Sequence, residues 1–250
     1  MIAWLRRTLA FTRFTLQEYL RSGRILVELV ILVAALWIFF WPRGDEGIDA
    51  HQFFNIGGIL ILALSIYTTA VMMGLGARPQ GYIVLSRSLG RRGYLMGLYL
   101  AALTVIAAIF LLLTLSVLAI NPPRDLHIQG WLLGALPLLL DVAILASFTM
   151  LIAPLVLSSG MRLLLLSMLA IALSTDVSAI KGFSIERVLR PLQTLISLPL
   201  LPAMSGFELA VNRNYNQAAV AILVGQVALT AALLAFALSA FDRRELMLTS

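Results

Sequence analysis

Asp141 is the residue of this sequence best placed to do chemistry. It stands about ten residues into an apolar run that begins at Trp131, about 15 Å along a helix. That depth is close to the midplane of a bilayer core. A carboxyl there is costly and faces either the protein interior or water. It lines a path for a transported molecule, or it makes an interhelical hydrogen bond as a protonated or shielded acid. Gln226 lies at similar depth in the last apolar run, counted from Gln217. An Asp141–Gln226 contact is therefore open to the chain, and the two residues are the candidates for a translocation path. Pro137, four residues before Asp141, removes one helical hydrogen bond and favours a kink. Asn55, Tyr67, Thr68, Thr69 and Ser147 are weaker candidates, since each can satisfy itself on a helix carbonyl or a neighbour.

Other chemistries find little support. The chain has no cysteine, so disulfides, thiolate metal sites and cysteine nucleophiles are excluded. Asp49, His51, Asp125 and His127 fall in two short loops, where solvated polarity is their ordinary role. No metal site is expected from them. No H-E-x-x-H, no G-x-S-x-G and no aligned acid pair within the apolar runs is present. Lys181, the sole lysine, follows Ile180 and precedes Gly182, whereas a phosphate-cradling loop needs Gly before Lys and Ser or Thr after it. The sequence reads as a non-enzyme that binds no cofactor directly.

The elements that must position Asp141 and Gln226 are long and apolar. Of 250 residues, 61% are hydrophobic and 12% charged, and mean hydropathy is +0.98. A soluble domain carries about 25% charged residues. Six runs, 25–41, 53–77, 94–120, 131–157, 163–180 and 217–241, approach or exceed the ~20 residues that carry a helix across a bilayer. The expected fold is an all-α membrane protein with six transmembrane helices in one bundle, residues 25–241, and no separate soluble domain.

Basic residues orient the bundle. With the N-terminus in the cytoplasm, Arg6, Arg7, Arg13, Arg21, Arg24, Arg78, Arg87, Arg91, Arg92, Arg162, Arg243 and Arg244 face inward. That is twelve of the 18 basic residues, so an N-in, C-in topology is favoured. The net charge of +6 fits a membrane face better than nucleic acid, because the arginines flank apolar runs without interleaved aromatics. Residues 1–24 carry charges throughout, unlike a signal peptide. Trp4, Leu5, Leu9, Phe11, Thr12, Leu16, Tyr19 and Leu20 share one helical face. Arg6, Arg13, Gln17 and Arg21 share the other, and Phe14 is the misfit. This is the pattern of an interfacial amphipathic helix in the headgroup layer. Arg24, four residues before Glu28, is placed to neutralise that carboxylate where it enters lipid.

Three connecting segments carry further pattern. Loop 78–93 sets Ile83, Val84, Leu85 and Leu89 against Arg87, Arg91 and Arg92, as in a short amphipathic helix along the inner face. Gly93, Gly97 and Ala101 then recur every four residues, a stripe that admits another helix at close range. The middle of outer segment 181–216, residues 185–202, is apolar but interrupted by Pro191, Pro199 and Pro202, which suits short helices buried against protein rather than a full span. Residues 242–250 form a cytoplasmic tail.

The run Gly81-Tyr-Ile-Val-Leu-Ser-Arg-Ser-Leu-Gly-Arg-Arg-Gly-Tyr-Leu-Met-Gly97 resembles the loop between the second and third spans of ABC-2 type transporter permeases. Gly81, Leu85, Ser86, Arg87, Arg91, Tyr94, Leu95 and Gly97 match that pattern. Ser88 replaces its usual Pro, Leu98 its usual Lys, and Arg78-Pro79-Gln80 stands where an acidic residue is usual. The ending Phe241-Asp-Arg-Arg-Glu-Leu246 is similar to the family's terminal Phe-x-Arg-Arg-(Glu/Asp)-Leu.

The resemblance implies a membrane permease subunit of an ATP-driven ABC transporter, with export the favoured direction and alternating access at a dimer interface. It implies separate ATP-binding cassette ATPase subunits that hold ATP and Mg, and a second six-span half, identical or related. Gly81, Leu85, Ser86, Arg87, Arg91 and Arg92 would couple to the ATPase. Trp4, Arg6, Arg13 and Arg21 would belong to an elbow helix bracing the first span. The expected location is a cell membrane, the bacterial cytoplasmic membrane by this resemblance, with lipid as a further partner. The rival is a non-transporting anchor or scaffold subunit of a larger membrane complex. An ion-coupled carrier would want more midplane carboxylates than Asp141 alone.

Overall fold

The computed structural model describes residues 2–42, 47–76, 90–153, 156 and 201–243, and every regular element among them is helical. In chain order these are α1 (Ile2–Arg21), α2 (Ile25–Ala35) with a π-helical turn at Leu36–Phe40, α3 (Ala50–Gly76) and α4 (Gly90–Ile120). Then follow α5 (Ile128–Ile152), α6 (Leu201–Asn212) and α7 (Gln217–Arg243). Helices suit lipid because each satisfies its own backbone hydrogen bonds.

Four helices are long and apolar enough to cross a membrane: Ala50–Leu75, Gly90–Ile120, Ile128–Ile152 and Gln217–Arg243. Trp4–Arg21 and Ile25–Phe40 qualify together as a pair bent by 68°, which makes up to five. The chain is thus an all-helical, multi-pass membrane protein. Its girth agrees: Leu111, Leu115, Leu132, Leu136, Val220 and Val224 are exposed, an outer surface that lipid covers more favourably than water. The expected run 163–180 lies outside the described residues. So do 78–89 of the inner loop, 181–200 of the outer segment and the tail from 244.

α4 packs against α1, α3, α5 and α7, while α5 packs against α3, α4, α6 and α7. Short α6 wedges among α3, α5 and α7 at one end of the bundle. At that end the Arg124 amide bonds Ile48 O, Asn121 caps Phe40 O, and Tyr215 bonds Leu133 O. At the opposite end Tyr94, Leu95 and Leu98 of α4 share a buried cluster with Met150 and Leu151 of α5 and Phe241 of α7. α3, α4 and α5 therefore alternate in direction between an α1 end and an α6 end, and α7 runs the same way as α5.

Two small residues decide how closely helices meet. Gly97 lies beneath Phe11, so a Cβ there would stand 2.5 Å from the ring. Gly134 lies beneath the Phe54 ring, which a Cβ would overlap. The stripe of Gly93, Gly97 and Ala101 is buried, and the helix it admits is α1. Thr12 Oγ1 reaches Gly97 O at 3.3 Å across that contact.

α1 turns its hydroxyl residues inward and leaves most of its large apolar side chains outside. Thr8, Thr12, Thr15 and Tyr19 are buried, whereas Trp4, Leu5, Leu9, Phe14 and Leu20 are exposed. Small hydroxyl residues face α4 because each Thr bonds the carbonyl four residues back and leaves no polar atom stranded. Arg6, Arg13, Gln17 and Arg21 are exposed on a third face. Protein, apolar and charged faces thus divide the helix. The turn to α2 passes through Gly23 at φ +71°, a left-handed conformation that suits glycine.

Candidate functional site

The α5–α6–α7 junction collects the most consequential polar atoms inside the bundle. Asp141 is the fourteenth residue of α5 and lies near its middle. Gln226 projects from α7 and is fully buried. Its Nε2 donates to Asp141 Oδ1 at 2.7 Å and to Pro137 O at 3.1 Å. The two residues that sequence depth placed together are therefore bonded. Gly206 of α6 closes the junction: a Cβ there would overlap Gln226 Nε2 and stand 3.0 Å from Asp141 Oδ1. Asp141 Oδ2 and Gln226 Oε1 are buried without a hydrogen-bond partner.

Pro137 shapes this site one turn away. Having no N–H, it leaves the carbonyl of Leu133 without its helical donor. Tyr215, between α6 and α7, donates its hydroxyl to Leu133 O at 2.8 Å. Burial raises the pKa of that hydroxyl, which keeps it a donor. The proline gap thus anchors the turn between α6 and α7 to α5. Deeper in, Tyr99 of α4 donates to Ala143 O at 3.1 Å, with Ser147 Oγ beside both.

A second buried carboxyl, Glu28 of α2, ties the α1–α2 bend to α3. Its Oε1 accepts from Tyr19 at 2.6 Å and from Thr68. Its Oε2 has no hydrogen-bond partner. The expected Arg24–Glu28 pairing is replaced, because Tyr19 and Thr68 reach the carboxyl from inside the bundle while Arg24 sits half-buried at the turn.

A third site lies at the α1 end. Arg92 at the start of α4 pairs with Asp242 at the end of α7, Nε to Oδ2 at 2.5 Å. Arg91 donates to the Asp242 carbonyl at 2.8 Å. Phe241 is buried next to Tyr94 and Leu95. The described ends of the two sequence motifs, 90–97 and 241–243, therefore form one patch although ~150 residues separate them. Gly81, Leu85, Ser86 and Arg87 lie outside the described residues.

Trp4, Arg6, Arg13 and Arg21 are exposed along α1. Asp49 accepts from the Gln52 amide at 2.6 Å and caps α3. Among the described residues no three His, Asp or Glu side chains gather as metal ligands. No protein-family model matches this chain, and no curated protein and no solved structure matches it.

Sequence reasoning passed over Gly206 and Tyr215, and it gave Tyr19 and Asp242 no partner. Asp242 had a signal, since it sits inside the Phe-x-Arg-Arg motif. Tyr215 had one too: a proline inside a span implies a displaced carbonyl and a donor somewhere. Gly206 had none, because only the meeting of three helices explains it.

Proposed function

We propose that this chain is the membrane permease subunit of an ATP-driven transporter of the ABC-2 type, working as an exporter. It would pair with a second six-span half, and separate ATP-binding cassette subunits would dock below and hydrolyse ATP with Mg. The observation that carries the reading is the patch made by residues 90–97 and 241–243. Two motifs that resemble one family, distant in sequence, meet at the same end of the bundle through Arg91, Arg92 and Asp242. An anchor subunit has no need to tie the exit of this loop to the last helix.

The charge distribution supports an N-in, C-in topology with six spans, 163–180 supplying one of them. α1, the turn after it, the start of α4 and the end of α7 carry Arg6, Arg7, Arg13, Arg21, Arg24, Arg91, Arg92 and Arg243. The α6 end carries Arg124 and Arg213 among the described residues. On the positive-inside rule the α1 end is cytoplasmic. The 68° bend and three-faced α1 support an elbow lying in the headgroup layer of a bacterial cytoplasmic membrane.

In this reading ATPase closure pushes on loop 78–93. The Arg91/Arg92–Asp242 clamp transmits the push to α4 and α7 together. α7 then carries it to Gln226 and the α5–α6–α7 junction. The ATPase thereby biases inward and outward populations of the bundle. The test is affinity purification from the native membrane with mass spectrometry. A stoichiometric partner bearing a G-x-x-x-x-G-K-[ST] loop supports the proposal, and a purified complex without nucleotide hydrolysis contradicts it.

A further inference from the structure

The hydrogen-bond inventory at the α5–α7 contact is one hydrogen short. Gln226 Nε2 has two hydrogens, and both are placed, on Asp141 Oδ1 and Pro137 O. Flipping the amide would set its carbonyl against those two acceptors, so the bonds themselves fix its orientation. Two acceptors are then left over on adjacent side chains, Asp141 Oδ2 and Gln226 Oε1. Asp141 is 4% exposed and Gln226 is 0% exposed, so bulk water does not serve them. A buried acceptor without a donor is costly, and a buried charge without a counter-charge more so.

No counter-charge is at hand among the described residues. Among the described residues no cation pairs with Asp141 or lies close enough to act on it. Of the helices packed on α5, α4 brings Arg91 and Arg92, and α7 brings Asp242 and Arg243, all at the far α1 end. α4 also brings Tyr94, buried at that same end, and Tyr99, whose hydroxyl donates to Ala143 O. α3 brings His51 at its exposed start and Tyr67, half-buried toward its other end. α6 brings Glu208, which is exposed.

We infer that Asp141 and Gln226 form a binding site for a single proton, which holds Asp141 as a neutral acid whose Oδ2–H donates to Gln226 Oε1. The acid and the amide then close a ring of two hydrogen bonds, Nε2–H to Oδ1 and O–H to Oε1. Every acceptor in the junction has a donor, and no net charge is buried. Gly206 has no side chain because the ring occupies the space where one would stand. The proton is in this sense a ligand of the three-helix junction. Its loss would leave a carboxylate oxygen against a carbonyl oxygen and a contact held by the amide hydrogens alone. The inference holds whether or not the chain is a transporter.

Infrared difference spectroscopy of the full chain in lipid vesicles at neutral pH tests it. Wild type minus D141N isolates the Asp141 carboxyl, and Asn keeps the ring by donating its own amide hydrogen to Gln226 Oε1. The expected result is a carboxylic-acid carbonyl band in wild type that shifts in heavy water and is lost in D141N. In Q226L the same band moves to higher wavenumber, because the acid loses its acceptor. A difference confined to the ionised-carboxylate region overturns the inference. Should D141N fail to fold, aspartate carrying carbon-13 in the wild-type chain gives the same readout. An isotope-shifted acid band that moves in Q226L supports the site, and its absence overturns it.

Discussion

Replacing Gly206 by Ala tests the central junction with one methyl group. The new Cβ would overlap Gln226 Nε2 and sit 3.0 Å from Asp141 Oδ1. Gln226 must swing aside and give up bonds of 2.7 and 3.1 Å. Overpacking a tight core costs about 1–3 kcal/mol. Stranding a buried polar group costs about 1–3 kcal/mol more. A chain of this size loses roughly 2–4 °C of midpoint per kcal/mol, so Gly206→Ala should unfold on the order of 5–20 °C earlier in detergent micelles. The control is Gln226→Ala, which removes the atom that collides. In that background Gly206→Ala should cost far less, with a coupling of about 1–3 kcal/mol between the two sites. Thermal unfolding of wild type, both single variants and the double variant measures this. Simple additivity, or an unchanged midpoint in Gly206→Ala, would refute the packing argument.

Tyr215→Phe removes the donor that fills the proline gap at Leu133, and the midpoint should fall by the equivalent of about 0.5–1.5 kcal/mol, measured by the same unfolding assay. Gly97→Leu pushes Phe11 out of its seat on α4; a spin label at Thr8, buried in the parent, should then become mobile, whereas an immobile label would contradict the close approach. The Arg92–Asp242 pair is largely exposed on the Arg92 side, so Arg92→Glu should cost less than about 1 kcal/mol of stability. The same change should impair ATP-driven transport in reconstituted vesicles, and the charge swap with Asp242→Arg should restore part of it.

Composition and run length made the membrane bundle legible, because lipid admits few solutions for 20-residue apolar stretches. Asp141 stood out because a carboxyl in such a run is conspicuous, and Gln226 followed from equal depth. Gly93, Gly97 and Ala101 announced a close helix but not which one. The protein-facing side of α1 was not legible from its periodicity. Periodicity finds the apolar side of a helix, but in a membrane much of that side turns to lipid, and the protein side takes Thr8 and Thr15 beside Thr12 and Tyr19. The partner of Glu28 was equally hidden. Spacing points to Arg24, four residues away, whereas Thr68 arrives from another helix 40 positions on.

The proposed permease requires the α1 end to be the cytoplasmic face on which a separate ATPase docks. The chain has no cysteine, so one cysteine placed at Ser86 is a unique probe. In sealed cells it should resist an impermeant thiol reagent, react once the membrane is opened, and crosslink to a P-loop ATPase in the purified complex. Labelling from outside intact cells, or a complex that hydrolyses no ATP, would contradict the account.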